Sequence, residues 1–124
     1  MAAEVLIIED DPRSIHLLEL ILRSRGYGTS VARNGDEGLV LMRSRRFDLL
    51  VLDLMLPGVD GLGILHQIRS DSQLADVPVV ITSARAQATD KQGAAELGAD
   101  AYLTKPYRKA ELLEVVASLI GDRP

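Results

Sequence analysis

The sequence predicts an α/β fold, a five-stranded parallel sheet with helices on both faces. Three observations predict it. Short apolar runs alternate with longer segments of helical period. The runs are apolar at every position, which suits strands covered on both sides. The chain has 124 residues, 47% hydrophobic and 26% charged. That balance suits a single globular domain over residues 1–124 and excludes disorder as its main state. Strict strand–helix alternation implies parallel strands joined by right-handed crossovers.

The elements follow in order. Val5 to Ile8 is a compact β-branched and aliphatic run that reads as the first strand. Pro12 to Arg25 carries Ile15, Leu18 and Leu22, with Leu17 and Ile21, at helical spacing. Pro12 suits the first turn, and Gly26 suits the stop. Tyr27 to Ala32 is a weaker strand, required by the alternation. Asn34-Gly35-Asp36 opens a second helix that runs to about Arg45. Leu49 to Leu52 is the third strand. Asp60-Gly61 opens a third helix that runs to about Ser70. Val79 to Ile81 is the fourth strand. Thr89 with Gln92 predicts a capping box for the fourth helix, and Gly98 ends it. Ala101 to Leu103 is the fifth strand, again weak. Lys109 to Ile120 is the last helix.

Composition excludes several functions. With no cysteine there is no disulfide framework, thiolate nucleophile or zinc–thiolate site. The two histidines, His16 and His66, lie 50 positions apart, and a histidine-based metal site from one chain is not expected. The formal net charge is −4, and Lys and Arg are scattered, so direct nucleic-acid binding is not expected. The most apolar run, Leu49 to Leu56, is interrupted by Asp53 and is far too short for a membrane span. Met1-Ala2-Ala3-Glu4 lacks the basic region of a secretory signal. The expectation is a soluble, cytoplasmic domain.

In open parallel sheets, ligands bind beyond the carboxyl ends of the strands. Polar residues gather there. The first strand ends in Glu9-Asp10-Asp11, the third in Asp53, the fourth in Thr82-Ser83 and the fifth in Thr104-Lys105-Pro106. Only the second, ending in Arg33-Asn34, carries no comparable signal. A carboxylate inside an apolar run is costly unless it is paired or sits at a site. Asp53 is therefore read as a nucleophile or metal ligand; the bland alternative, a helix cap, is weakened because Asp60 already serves the next helix. Asp11 before Pro12 suits a cap at the positive end of its helix. Glu9 and Asp10 do not. Clustered with Asp53 they would repel and raise one another's pKa, and a hard divalent cation would relieve this. Few carboxylates plus water suit Mg²⁺, whereas Ca²⁺ wants more oxygens. Lys105 and Ser83 add a cation and a hydroxyl for phosphoryl oxygens. Together these are the parts of a phosphoryl-transfer site.

At this point the chain closely resembles the receiver domain of bacterial two-component response regulators, over essentially its full length. The resemblance rests on Glu9-Asp10, Asp53 with Pro57 and Gly61, Ser83-Ala84, and Lys105-Pro106 with Tyr102. The gaps also fit: 43 residues from Asp10 to Asp53, 30 on to Ser83 and 22 on to Lys105. It implies a flavodoxin-like (βα)5 fold with strand order 2-1-3-4-5. It implies that Asp53 accepts a phosphoryl group from a histidine kinase or a histidine phosphotransfer protein. Glu9, Asp10, Asp53 and the carbonyl of Met55 would hold Mg²⁺, Glu9 through water. Ser83 and Lys105 would bind phosphoryl oxygens, and Ser83 with Tyr102 would form the signalling switch. The Lys105–Pro106 bond would be cis.

The resemblance also frames the partners. Tyr107 and Arg108 lie near the expected kinase contact, and Arg108 stands where a small capping residue is ordinary. The winged-helix subfamily dimerises through charged pairs on the fourth helix, fifth strand and fifth helix. Lys91 and Glu111 fit one pair, but Ala101 and Val115 replace an acid and an arginine. The expectation is a monomer or a weak phosphorylation-dependent dimer, signalling to a downstream protein or output domain, with Val115 read either as part of an apolar contact surface on the last helix or as an ordinary scattered surface valine. Rival readings fit less well. A haloacid-dehalogenase-like phosphohydrolase needs a second Asp where Met55 stands. A flavin module would find Glu9-Asp10-Asp11 repelling its phosphate. A degenerate receiver working by contact alone would not need the intact acid, hydroxyl and lysine set.

Overall fold

The structure is a computed structural model that describes residues 2–56 and 59–121. Seven strands and five helices occur in the order β1 (Glu4–Ile8), α1 (Pro12–Ser24), β2 (Gly28–Ala32), α2 (Gly35–Ser44), β3 (Leu49–Asp53), β4 (Met55–Leu56), β5 (Val59–Asp60), α3 (Gly61–Ser70), β6 (Val79–Ser83), α4 (Ala88–Glu96), β7 (Ala101–Thr104) and α5 (Lys109–Ile120). Five strands make one parallel sheet in the order β2-β1-β3-β6-β7. This is the expected 2-1-3-4-5 order, its numbers offset by β4 and β5. Those two pair antiparallel in a two-residue ribbon that the sequence reading did not foresee.

Pleating sorts the side chains to two faces. Leu6, Ile8, Leu50, Leu52, Val79 and Ile81 pack against α2, α3 and Ala94 of α4. Val5, Ile7, Leu49, Val51, Val80 and Leu103 pack against α1 and α5. Both faces are covered, which explains why the runs are apolar throughout. Each fully buried Leu or Ile contributes about 1.5–3 kcal/mol relative to exposure.

The caps follow the expected chemistry at three helices. Asp11 accepts from the Arg13 N–H with Pro12 in the first turn, Asn34 accepts from Glu37, and Asp60 accepts from Leu62. Gly26 and Gly98 take φ of +86° and +96°, a region other residues rarely adopt, and they follow α1 and α4 closely. The expected Thr89–Gln92 capping box is corrected. The α4 cap is Gln87, whose side chain makes no capping bond, and the helix begins before Thr89. Gln92 instead donates to Glu96 one turn on, at 3.1 Å. At α5 the Glu111 carboxylate accepts from the Arg108 backbone N–H at 3.0 Å, so the acid does the work that an arginine side chain, lacking an acceptor, cannot.

Boundaries shift for local reasons. Tyr27 stands outside β2 because its N–H bonds back to the Leu22 carbonyl in the last turn of α1, while its ring is buried. β3 and β6 run further than their apolar cores, taking in Asp53 and Thr82-Ser83.

Candidate phosphoacceptor site

The ladder itself places the polar residues. Beyond the last residue of β1, the Glu9 N–H donates to Ala32 O at 3.0 Å. Beyond β3, Leu54 donates to Thr82 O at 3.0 Å, and beyond β7, Lys105 donates to Ser83 O at 2.7 Å. Each strand end is therefore held in register with its neighbour, and the side chains it carries converge at one edge of the sheet. Gly61 lets the start of α3 lie against this edge. A Cβ there would stand 2.6 Å from Leu54 O and 2.7 Å from Asp53 O, so only glycine fits. Pro57, also part of the sequence motif, lies outside the described residues.

Glu9, Asp10 and Asp53 come together, each offering a carboxylate oxygen within 4.8 Å of the others. Glu9 and Asp53 are buried. The Lys105 ammonium reaches over them, 2.6 Å from Glu9 Oε1 and 3.7 Å from Asp53 Oδ2. Glu9 Oε2 accepts the backbone N–H groups of Asp10 and Asp11 at 2.9 and 3.1 Å. Asp53 Oδ1 accepts from Met55 N at 3.2 Å.

These partners divide the charge unequally. Burial pushes the Asp53 carboxyl up from its ordinary 3.8 to about 6, and the neighbouring Glu9 carboxylate adds to the rise. Burial also opposes the Glu9 charge. There, however, the Lys105 hydrogen bond and the backbone N–H groups outweigh it and hold Glu9 below its usual range. Mutual elevation of the acids is thus corrected for Glu9, because the lysine sits on it rather than midway between the carboxylates. Burial, with Glu9 nearby, also raises the Tyr107 phenol to about 12.

The other expected residues lie around this cluster. Ser83 is fully buried, and its Oγ accepts from Arg85 N at 3.0 Å. Tyr102 is half-buried and donates to Arg85 O at 2.8 Å, with the Lys91 ammonium 6.0 Å from its ring centroid. The Arg85 backbone therefore touches both members of the expected switch. The Lys105–Pro106 bond is cis. Met55 is half exposed and lines a cleft of about 370 Å³ with Asp10, Leu54, Leu56, Asp60 and Arg85. Lys105 lines a second cleft, of about 310 Å³, together with Arg13, Ser14, Leu17, Pro106 and Tyr107.

Two residues near the site were missed by sequence reasoning. Ser14 Oγ lies 3.4 Å from Lys105 Nζ and also bonds to Asp11 at 3.1 Å. Its place three residues after the Asp11 cap was the available signal. Thr82, directly opposite Asp53 in the register of β3 and β6, carries no sequence signal beyond its place in the polar pair Thr82-Ser83 at the strand end.

The donor set suits a hard divalent cation. Mg²⁺ takes few carboxylates together with water, and among the described residues no histidine or cysteine joins the three carboxylates to favour a softer ion. Among the described residues, no helix is long and apolar enough to cross a membrane.

Comparison with known proteins converges on one family. The response regulator receiver domain family model matches residues 5–117. The chain is 40% identical over 116 residues to the DNA-binding dual master transcriptional regulator RpaA of Synechocystis sp., covering 94% of this chain and 48% of that protein. It is 37% identical over 113 residues to the DNA-binding response regulator MtrA of Mycolicibacterium smegmatis, covering 91% and 48%. The chain thus spans about half the length of these curated relatives. Among solved structures it superposes on the receiver domain of the sensor histidine kinase PA1611 from Pseudomonas aeruginosa, which has a magnesium ion coordinated in its active-site cleft. The TM-score is 0.89 at 30% identity, covering 98% of this chain and 99% of that one. The Francisella response regulator 1452 receiver domain gives 0.88 at 33% identity, covering 95% and 96%. With the sheet order, the acidic edge and the matched family model in agreement, the chain belongs to the response regulator receiver domain family and is a module of two-component signalling.

Proposed function

We propose that this domain receives a phosphoryl group on Asp53 from a histidine kinase or histidine phosphotransfer protein in the cytoplasm, and that residues 1–124 act as one receiver unit. The observation that carries this reading is the buried Asp53 carboxylate, with Lys105 3.7 Å away and Glu9 and Asp10 beside it. An Asp53 oxygen forms the new O–P bond as the P–N bond of the phosphohistidine breaks, and the imidazole keeps that electron pair. Asp10, Asp53 and the carbonyl of Met55, with Glu9 through water, would hold Mg²⁺, which would neutralise charge on the transferring oxygens. Lys105 supplies a fixed positive charge to those oxygens, and Ser83 donates to one of them after releasing the Arg85 N–H.

Movement of Ser83 then opens space for Tyr102, so the switched surface is formed by α4, β7 and α5. The domain promotes its own phosphorylation and dephosphorylation while serving as a signalling module. The docking face for the phosphoryl source includes Tyr107 and Arg108. The listener is a downstream protein or an attached output domain; the DNA-binding relatives, twice as long as this chain, favour a transcriptional output. The domain is monomeric or dimerises weakly when phosphorylated, and does not itself bind nucleic acid.

The test is incubation with Mg²⁺ and a small acyl phosphate. One acid-stable, base-labile phosphoryl group should appear at Asp53 by mass spectrometry, and a chelator should prevent it. Equal labelling of Asp53→Asn would overturn the assignment.

A further inference from the structure

Among the described residues, one buried side-chain polar atom lacks a hydrogen-bond partner, the hydroxyl oxygen of Thr82. Thr82 is 1% exposed. An orphaned buried hydroxyl is destabilising, and valine has nearly the same shape without that cost. Its location ties the oddity to the site. Thr82 is the register partner of Asp53 across β3 and β6, and of Leu103 across β6 and β7. The ladder continues past it on both sides, through Leu54 N–H to Thr82 O and Lys105 N–H to Ser83 O. The residues two before Asp53 and Thr82, Val51 and Val80, both face α1 and α5. By the two-residue period of a strand, Asp53 and Thr82 share that side. Directly opposed side chains on one face of a sheet are contact neighbours. Thr82 is therefore the cross-strand neighbour of Asp53 and its hydroxyl makes no bond to the carboxylate, while the Lys105 ammonium lies 3.7 Å from Asp53 Oδ2.

We propose that Thr82 is a positioning residue for Asp53: its hydroxyl, unpartnered at rest, donates to the Asp53 carboxylate when Lys105 turns from that carboxylate to the oxygens of an incoming phosphoryl group. The inference rests on the phosphoacceptor reading. As the new Asp53 O–P bond forms and the donor's P–O or P–N bond breaks, the Lys105 charge is drawn to the phosphoryl oxygens, and the Asp53 oxygen left behind gains from a hydrogen-bond donor in place of that charge. A short rotation of a threonine side chain supplies one without admitting water.

The experiment compares wild type, Thr82→Val and Thr82→Ser, each with Mg²⁺ and acetyl phosphate, following labelling of Asp53 by mass spectrometry over a range of donor concentrations. Circular dichroism melts confirm folding. Thr82→Val should melt no lower than wild type. Its maximal labelling rate should fall roughly tenfold, the scale of one hydrogen bond to an ionised group, with the half-saturating donor concentration nearly unchanged. Thr82→Ser, which keeps the hydroxyl, should label within about twofold of wild type. If Thr82→Val labels at the wild-type rate, or Thr82→Ser is as slow as Thr82→Val, the role of Thr82 is overturned while Asp53 stands. If wild type takes no label at Asp53, the phosphoacceptor reading falls and this inference falls with it.

Discussion

Asp53 and Glu9 are two buried carboxylates at the ends of adjacent strands, and Lys105 separates their behaviour. The ammonium lies 2.6 Å from Glu9 and 3.7 Å from Asp53. Glu9 stays charged, and Asp53 is held up at about 6. The consequence for stability has a definite sign. Folding favours the protonated form of Asp53, so its contribution is fully present below the ordinary 3.8 and is lost as pH rises through about 6. Glu9 acts in the opposite sense, contributing above its ordinary 4.5 and losing that contribution as pH falls through its lowered value. In chelator, Asp53→Asn should therefore exceed the wild type in stability by an amount that grows from pH 4 to pH 6. The plateau should be on the order of 1–3 kcal/mol. Urea unfolding at a series of pH values measures it; a constant difference across that range would contradict the crowded, buried carboxylate.

The helices differ in how firmly they are held. α1 and α3 each bury several aliphatic side chains and carry side-chain caps. α4 buries only Ala94 among its residues, and its cap residue Gln87 makes no side-chain capping bond. It flanks Tyr102 through Lys91, on the surface proposed to switch. A weakly anchored helix is suited to a position whose packing must change. Gln87→Asp should supply the missing acceptor to the first-turn N–H groups and stabilise the protein by about 1 kcal/mol. Hydrogen exchange should show the added protection concentrated in residues 88–96. Uniform protection elsewhere with none in α4 would mean that the cap is not the weak point.

Across the whole molecule, the acidic edge and the α4–β7–α5 surface are linked through one short segment. Ser83 Oγ accepts the Arg85 N–H, and Tyr102 donates to the Arg85 carbonyl. A ligand shifts an equilibrium only through contacts that differ between the states. Beryllofluoride, which mimics a phosphoryl group on Asp53, should draw Ser83 away from Arg85 and so disturb the Tyr102 contact. NMR signals of Lys91, Tyr102, Glu111 and Val115 should move on adding beryllofluoride and Mg²⁺ to the wild type. In Ser83→Ala the ligand should still bind through Lys105, yet those distant shifts should shrink to less than half. Undiminished shifts in Ser83→Ala would disprove coupling through this hydroxyl; their loss in Thr82→Ala alone would place the switch one residue earlier.

The sequence by itself determined the sheet, the five helices and the edge on which the chemistry gathers. The reason is that runs such as Leu49 to Leu52 are apolar at every position, so the polar residues that follow each run mark a strand end. Asp53, Glu9, Asp10, Ser83 and Lys105 were legible for that reason. Caps set by a side chain and its next few residues were legible too, as at Asp11, Asn34 and Asp60. The ribbon at Met55–Leu56 and Val59–Asp60 was not, because two-residue strands have no period to read. Neither was the start of α4, where Gln92 reaches forward to Glu96 and Thr89 is left inside the helix. Only the tertiary structure decided that Lys105 bonds Glu9 more closely than Asp53, and that Thr82 stands beside Asp53 without a partner. Both facts depend on the register between strands far apart in the chain, and on distances of a few tenths of an ångström that no local pattern encodes.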